Sequence, residues 1–206
     1  MLDTSNADGI LMSDGSTNIV VRDNIISNTG DDAISCVWND GYPTPINKVL
    51  ITGNLITGGI GHGINVCHAV NITIEGNSIV GCDAGGISVY RWGTNPVYAD
   101  NIHIVGNNIT DASKNGILID GCDNSIIESN HIINPELVGI RLGNYNDLRI
   151  IGNVIDGAPY GVAIDNQNIF ANCNNLAILN NDIRGFSGNA VALAPAGGTV
   201  VNQSIV

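Results

Sequence analysis

Positive charge is scarce in this chain. Seven Lys and Arg face nineteen Asp and Glu, for a formal net charge of −12 over 206 residues. A nucleic-acid partner needs a basic face for its phosphates, so that class is excluded, and a strongly polyanionic ligand is disfavoured. Long apolar runs are also missing. No stretch reaches about 18 residues, so no segment reads as a membrane span. The opening Met1-Leu2-Asp3-Thr4 does not read as a signal peptide, so secretion or display at the cell surface, the localisation expected of this protein, would require a leader outside these residues. The five Cys (Cys36, Cys67, Cys82, Cys122, Cys173) include no CxxC pair and are odd in number. That pattern fits neither a disulfide framework nor a zinc site, and predicts free, small, packed thiols. Neither a metal nor a cofactor is expected. The Lys, Glu, Leu and Ala of a helical protein are thin as well, which favours strands and turns.

What the chain has instead is Gly, at 26 residues, and Asn at a fixed period. Asn24, Asn54, Asn77, Asn107, Asn130, Asn153 and Asn181 are each followed two residues later by Ile26, Ile56, Ile79, Ile109, Ile132, Ile155 and Ile183. An aliphatic pair usually precedes each Asn, as in Ile72 and Ile74 or Leu148 and Ile150; Ser125 breaks the pattern. A second anchor is a small residue before a β-branched one: Gly9-Ile10, Ala33-Ile34, Gly63-Ile64, Gly86-Ile87, Gly116-Ile117, Gly139-Ile140, Gly161-Val162 and Ala190-Val191.

These are short period-2 segments separated by Gly and Asn turns. One such coil cannot bury its apolar side chains alone. Coils stacked about 4.8 Å apart place like residue on like and close a core. The expected fold is all-β: a right-handed parallel β-helix of about eight coils of 22–30 residues, forming one domain over residues 1–206. The Asn column should be an internal ladder of amides bonded above and below. The first motif begins at Asn6, before a complete coil, and the end, Val200 to Val206, is apolar. Terminal coils need caps, so a fragment of a longer chain or an oligomer is expected.

Departures from the repeat are where function is expected. Two longer coils carry their extra residues just after the Gly-Ile strand, about 37–47 and 90–100, and a third carries them about 166–175. Aromatics are only 4% of the chain, yet Trp38, Tyr42, Tyr90, Trp92 and Tyr98 all fall in the first two insertions, with Arg91 among them. Flat aromatic faces suit sugar rings, so these six residues are the expected substrate-binding set. The alternative is that the rings only pack their loops onto the cylinder.

The position before each Gly-Ile anchor holds Asp8, Asp32, His62, Gly85, Asn115, Val138, Tyr160 and Asn189 down the stack, and Asp31 adjoins Asp32. Asp8, Asp31, Asp32 and His62 are therefore the expected catalytic set. Carboxylates this close raise one another's pKa, which lets one hold a proton near neutral pH while another stays a base. Glycoside hydrolysis needs that pair. A carboxyl separation of roughly 6.5–9.5 Å, reached if Asp31 splays across the groove, would predict inversion at the anomeric carbon. Turn capping by Asp and a hard-cation site are the rival readings of the column.

The series Asn6-Ala7-Asp8-Gly9, Gly30-Asp31-Asp32 and Gly61-His62-Gly63 resembles glycoside hydrolase family 28, the polygalacturonases. The wording from Ala7 to Ile34 also resembles the family 87 α-1,3-glucanases. The resemblance implies a pectin-lyase-like β-helix with Asp31 as general acid, Asp8 and Asp32 serving the water, and His62 orienting the site. The polygalacturonase Arg-x-Lys is not matched: the corresponding coil reads Gly86 to Trp92 with no Lys, which favours a neutral glycan over a galacturonate. The expected function is thus a polysaccharide-degrading hydrolase of the inverting type. A non-catalytic glycan-binding or structural β-helix, of the surface or phage-spike kind, is the alternative, and a lyase or epimerase ranks third.

Overall fold

The computed structural model describes residues 7–37, 44–90, 99–164, 173–192 and 200–205, the side chains of Cys173 and 200–205 excepted. Among the described residues there is no helix. Three parallel sheets run the length of a cylinder, and in each a strand pairs with its counterpart one coil away. The first sheet has eight strands, from Ile10–Ser13 through Ile34–Val37, His62–Cys67 and Gly85–Tyr90 to Val191–Ala192. The second has eight, from Thr17–Arg22 to Val200–Ile205, and the third seven, from Ile25–Ser27 to Asp182–Arg184. This is the parallel β-helix expected from the repeat.

Register follows the two anchors. Ile56 pairs with Ile79, Ile79 with Ile109, Ile109 with Ile132 and Ile132 with Ile155 in the third sheet. All five side chains are buried. The small residue before each Ile of the first sheet has a steric cause. A Cβ on Gly63 would lie 2.4 Å from Ile79 Cγ2 and 2.9 Å from the Gly86 carbonyl, so the isoleucine column of the third sheet packs directly against that backbone. Corners between sheets place one residue in the left-handed region, with φ of 56° at His68, 61° at Gly76 and 66° at Gly81 within one coil, and Asn71 inside the second-sheet strand adopts it too at 57°. Gly and Asn are the residues that tolerate this, which accounts for their abundance.

The Asn ladder lies inside. Each Nδ2 donates to the Oδ1 one coil on, from Asn24 through Asn54, Asn77, Asn107, Asn130 and Asn153 to Asn181, at 2.9–3.0 Å. That same Oδ1 also accepts the backbone N–H of the preceding Asn, as from Asn77 to Asn107 at 3.0 Å. Asn54 through Asn153 are fully buried. Ser125 is tolerated in an aliphatic column because its hydroxyl accepts from Ile102 N–H at 3.1 Å and donates to the Asp123 carbonyl at 2.6 Å. Cys36, Cys67, Cys82 and Cys122 are buried thiols outside any disulfide, as their spacing predicted.

Candidate active site

The stacking builds the acidic site at the entrance to the first sheet. Asp8 precedes Ile10–Ser13, the Asp31-Asp32 pair precedes Ile34–Val37, and His62 opens His62–Cys67. Backbone bonds lock these rungs together: Gly9 N–H to the Asp32 carbonyl at 3.0 Å, Asp31 N–H to the Ala7 carbonyl at 3.2 Å, and Ala33 N–H to the His62 carbonyl at 2.9 Å. Gly61 lets the third coil pass against the pair, since a Cβ there would lie 2.5 Å from Asp31 C and Asp32 N.

Each column side chain also braces the next rung. Asp8 Oδ1 accepts the Asp32 N–H at 3.1 Å, and Asp32 Oδ1 accepts the His62 N–H at 2.7 Å. Asp31 and Asp32 stand in irregular backbone ahead of their strand, so strand alternation does not force them apart. One oxygen from each of Asp8, Asp31 and Asp32 lies within 4.8 Å of the others. The wide carboxyl separation considered for inversion is therefore not found. The two rungs are only one coil apart, and Asp31 turns toward Asp8 rather than across a groove.

The environments of the carboxyls differ. Asp32 is buried. Burial alone would raise its pKa, but the hydrogen bond from the His62 ring, the His62 N–H, the charge of His62 and the Asn65 amide together hold it below the ordinary value. Its Oδ1 faces His62 Nδ1 at 3.1 Å and its Oδ2 accepts Asn65 Nδ2 at 2.7 Å. Asp8 is half-buried, and its pKa is pushed up to about 6 by burial and then by the charges of Asp32 and Asp31, against one hydrogen bond from Asp32 N–H. Asp31 is exposed.

The three carboxyls, with His62, Asn65 and Tyr90, line a cleft of about 230 Å³ that also takes in Ser35, Val37 and Ile60. Tyr90 ends Gly85–Tyr90, its ring centroid 6.2 Å from that of His62. Burial, followed by the charges of Cys67 and Asp32, pushes its hydroxyl up to about 12, so it stays a neutral phenol. Of the aromatic and basic loop residues expected to bind substrate, Tyr90 is thus brought to the cleft. Trp38, Tyr42, Arg91, Trp92 and Tyr98 lie outside the described residues.

Asn65 escaped the sequence reading because Asn is so common here. Its signal was its place: a polar residue on the outward face of the first sheet, three residues after His62. Next to it in register is Ser35, and Ser35 Oγ and Asn65 Oδ1 are buried with no hydrogen-bond partner in the structure. Unmet buried polar atoms are uncommon, and binding sites are one place that tolerates them. Three close carboxylates also raise the question of a hard cation. Asp32 already spends both oxygens on N–H donors, and Asp8 and Asp31 alone are a thin set beside the six to eight oxygens Ca²⁺ takes.

The fold is shared with several polysaccharide-acting proteins. The A-module of the Azotobacter vinelandii mannuronan C-5 epimerase AlgE6 superposes with a TM-score of 0.67 at 18% identity, covering 93% of this chain and 59% of that one. The catalytic unit of a thermostable family 87 α-1,3-glucanase from Streptomyces thermodiastaticus gives 0.61 at 13% identity, covering 96% and 45%. A family 87 α-1,3-glucanase catalytic domain in complex with nigerose gives 0.60 at 14%, covering 93% and 43%. This chain thus spans about half the length of the structures it matches, and at these identities the likeness is one of fold. No curated protein matches it in sequence. The family described as right handed beta helix region matches residues 3–102 and 47–206, so the chain belongs to the right-handed β-helix family.

Proposed function

We propose that this β-helix is a glycoside hydrolase that cleaves a neutral polysaccharide at the cleft of Asp8, Asp31 and Asp32. The observation that carries the reading is the convergence of three carboxyls of unlike environment in one open cleft. One is held ionised by His62 and Asn65, one is drawn toward protonation near pH 6, and one is exposed to water. Hydrolysis of a glycosidic bond needs a proton for the leaving oxygen and a base for water, and this cluster supplies both. The family 87 fold neighbours act on α-1,3-glucan, which makes that polymer the first candidate.

Among the described residues the cleft is lined by no Lys or Arg, so nothing there neutralises a uronate carboxylate, and the Asp cluster repels one. This favours a neutral glycan over mannuronan or galacturonan, and hydrolysis over elimination or epimerisation. A polysaccharide substrate favours secretion or display at the cell surface. Inversion is the outcome we propose, with the water held by an exposed carboxylate rather than attacked carbon bonded to a buried one. The carboxyl oxygens lie within 4.8 Å of one another, closer than the roughly 6.5–9.5 Å usual for inversion, so the anomer released first, read by proton NMR, decides between inversion and a retaining route through a nucleophilic Asp.

The test is a reducing-sugar assay of the purified protein on α-1,3-glucan and other neutral glycans beside alginate and polygalacturonate. Cleavage of a neutral glycan is expected, with losses of at least about 100-fold in Asp8→Asn and Asp31→Asn at unchanged folding. A parent inert on the whole panel, or variants as active as the parent, would leave the cleft as a binding or structural feature.

A further inference from the structure

We infer that Asp8, not Asp31, is the proton donor of this cleft, and that Asn65 is a positioning residue that keeps the proton there by fixing Asp32 as an anion. The inference rests on the hydrolase reading and runs against the motif resemblance, which implies Asp31 as the acid.

Three carboxyl oxygens within 4.8 Å of one another repel when all are charged, so a proton among them is held more tightly than on a lone carboxyl. Asp32 is the worst place for it. Its Oδ1 accepts the His62 N–H and faces His62 Nδ1, and its Oδ2 accepts Asn65 Nδ2. Protonation would weaken those bonds inside a buried setting. The amide orientation of Asn65 is dictated by the same logic, since its carbonyl turned toward Asp32 would meet a carboxylate. Asp31 is exposed, and water stabilises its charge. Asp8 remains. It is half-buried, it faces both Asp31 and Asp32, and the His62 ring beside the cluster is engaged by Asp32 rather than by Asp8. Asn65 donates to Asp32 Oδ2 and acts on the proton through Asp32.

The step then balances as follows. The Asp8 carboxyl gives its proton to the glycosidic oxygen as the bond from that oxygen to the anomeric carbon breaks, its electron pair leaving on the oxygen. A water oxygen bonds to the anomeric carbon and passes a proton to the Asp31 carboxylate. The products are a hemiacetal and an alcohol, with Asp8 ionised and Asp31 neutral. The short gap between the two carboxyls lets the proton return and reset the site.

Two measurements test this. The first needs no substrate: carboxyl-¹³C aspartate NMR titration of the whole chain, assigned with Asp8→Asn and Asp31→Asn. Asp8 is expected to titrate near pH 6, and to fall toward the ordinary carboxylate range in Asp32→Asn and in Asn65→Leu. If Asp32→Asn does not fold, the parent titration still decides. Asp31 titrating near 6 with Asp8 in the ordinary range overturns the assignment. The second uses the glycan the parent cleaves and the glycosyl fluoride of the same sugar, whose leaving group departs without protonation. Asp8→Asn should lose about 100-fold or more on the glycan but stay within about tenfold of the parent on the fluoride, while Asp31→Asn loses on both. Rescue of Asp31→Asn instead overturns the inference and leaves the hydrolase reading standing. A parent inert on every glycan overturns that reading and the donor role with it, whereas the titration reports where the proton sits in either case.

Discussion

Replacing Asn107 by Leu removes five hydrogen bonds from the middle of the internal ladder. The Asn107 Oδ1 accepts from Asn77 N–H at 3.0 Å and Asn77 Nδ2 at 2.9 Å. Its Nδ2 donates to the Ile74 carbonyl at 2.9 Å, the Val105 carbonyl at 3.2 Å and Asn130 Oδ1 at 3.0 Å. Leu meets none of them. Asn77 lies fully buried, so its N–H finds no water in place of the lost acceptor. A buried group left without a partner costs about 1–3 kcal/mol, and with the Ile74 carbonyl also deprived the expected loss is about 2–5 kcal/mol. Asn24→Leu is the control. Asn24 stands at the ladder's first rung and is only half-buried, giving hydrogen bonds to Asn54 Oδ1 and the exposed Arg22 carbonyl. Its loss should cost less than about 1 kcal/mol. Urea unfolding followed by far-ultraviolet circular dichroism reads both, provided the slope against denaturant is unchanged. Equal costs for the two variants, or a neutral Asn107→Leu, would refute the ladder as a source of stability.

Gly63→Ala should destabilise by about 2 kcal/mol or more, because the new methyl meets Ile79 Cγ2 and the Gly86 carbonyl, while Gly106→Ala, with nothing within 4 Å but a φ of 62°, should cost nearer 1 kcal/mol; thermal melts that reverse this order would refute the steric account of the small-residue column. Asp8 has a folded-state pKa raised to about 6, so protonation favours the fold: its contribution is present at low pH and is lost as pH rises through about 6. Asp8→Asn should therefore melt above the parent at pH 8 and lose that advantage near pH 4. Asp32 carries the opposite sign, its depressed pKa giving stability at neutral pH that is lost on acidification, so Asp32→Asn should melt below the parent at pH 8. Burial holds the Cys36, Cys82 and Cys122 thiols at about 12, 11 and 12, so Ellman's reagent at pH 8 should leave those three peptides unlabelled until urea is added, as mass spectrometry would show.

The architecture was legible in the residues themselves. In a solenoid every coil repeats one local problem, so Asn54, Asn77 and Asn107 recur because each ladder rung needs the same amide, and Gly63, Gly86 and Gly116 recur because each meets an isoleucine of one column, Ile79, Ile109 and Ile132. A one-dimensional stack maps sequence period onto space, and the column of Asp8, Asp32 and His62 could be drawn without coordinates. The division of labour inside that column could not. Sequence places Asp31 and Asp32 side by side and cannot say that the backbone there is irregular enough for both to approach Asp8. Nor does it mark Asn65, one Asn among many, as the donor that fixes Asp32. Those outcomes depend on burial and on angstrom-scale distances between coils, and electrostatic energy responds to both steeply: a carboxylate with two N–H donors on its oxygens and one without them are the same letter in the sequence and different acids in the fold.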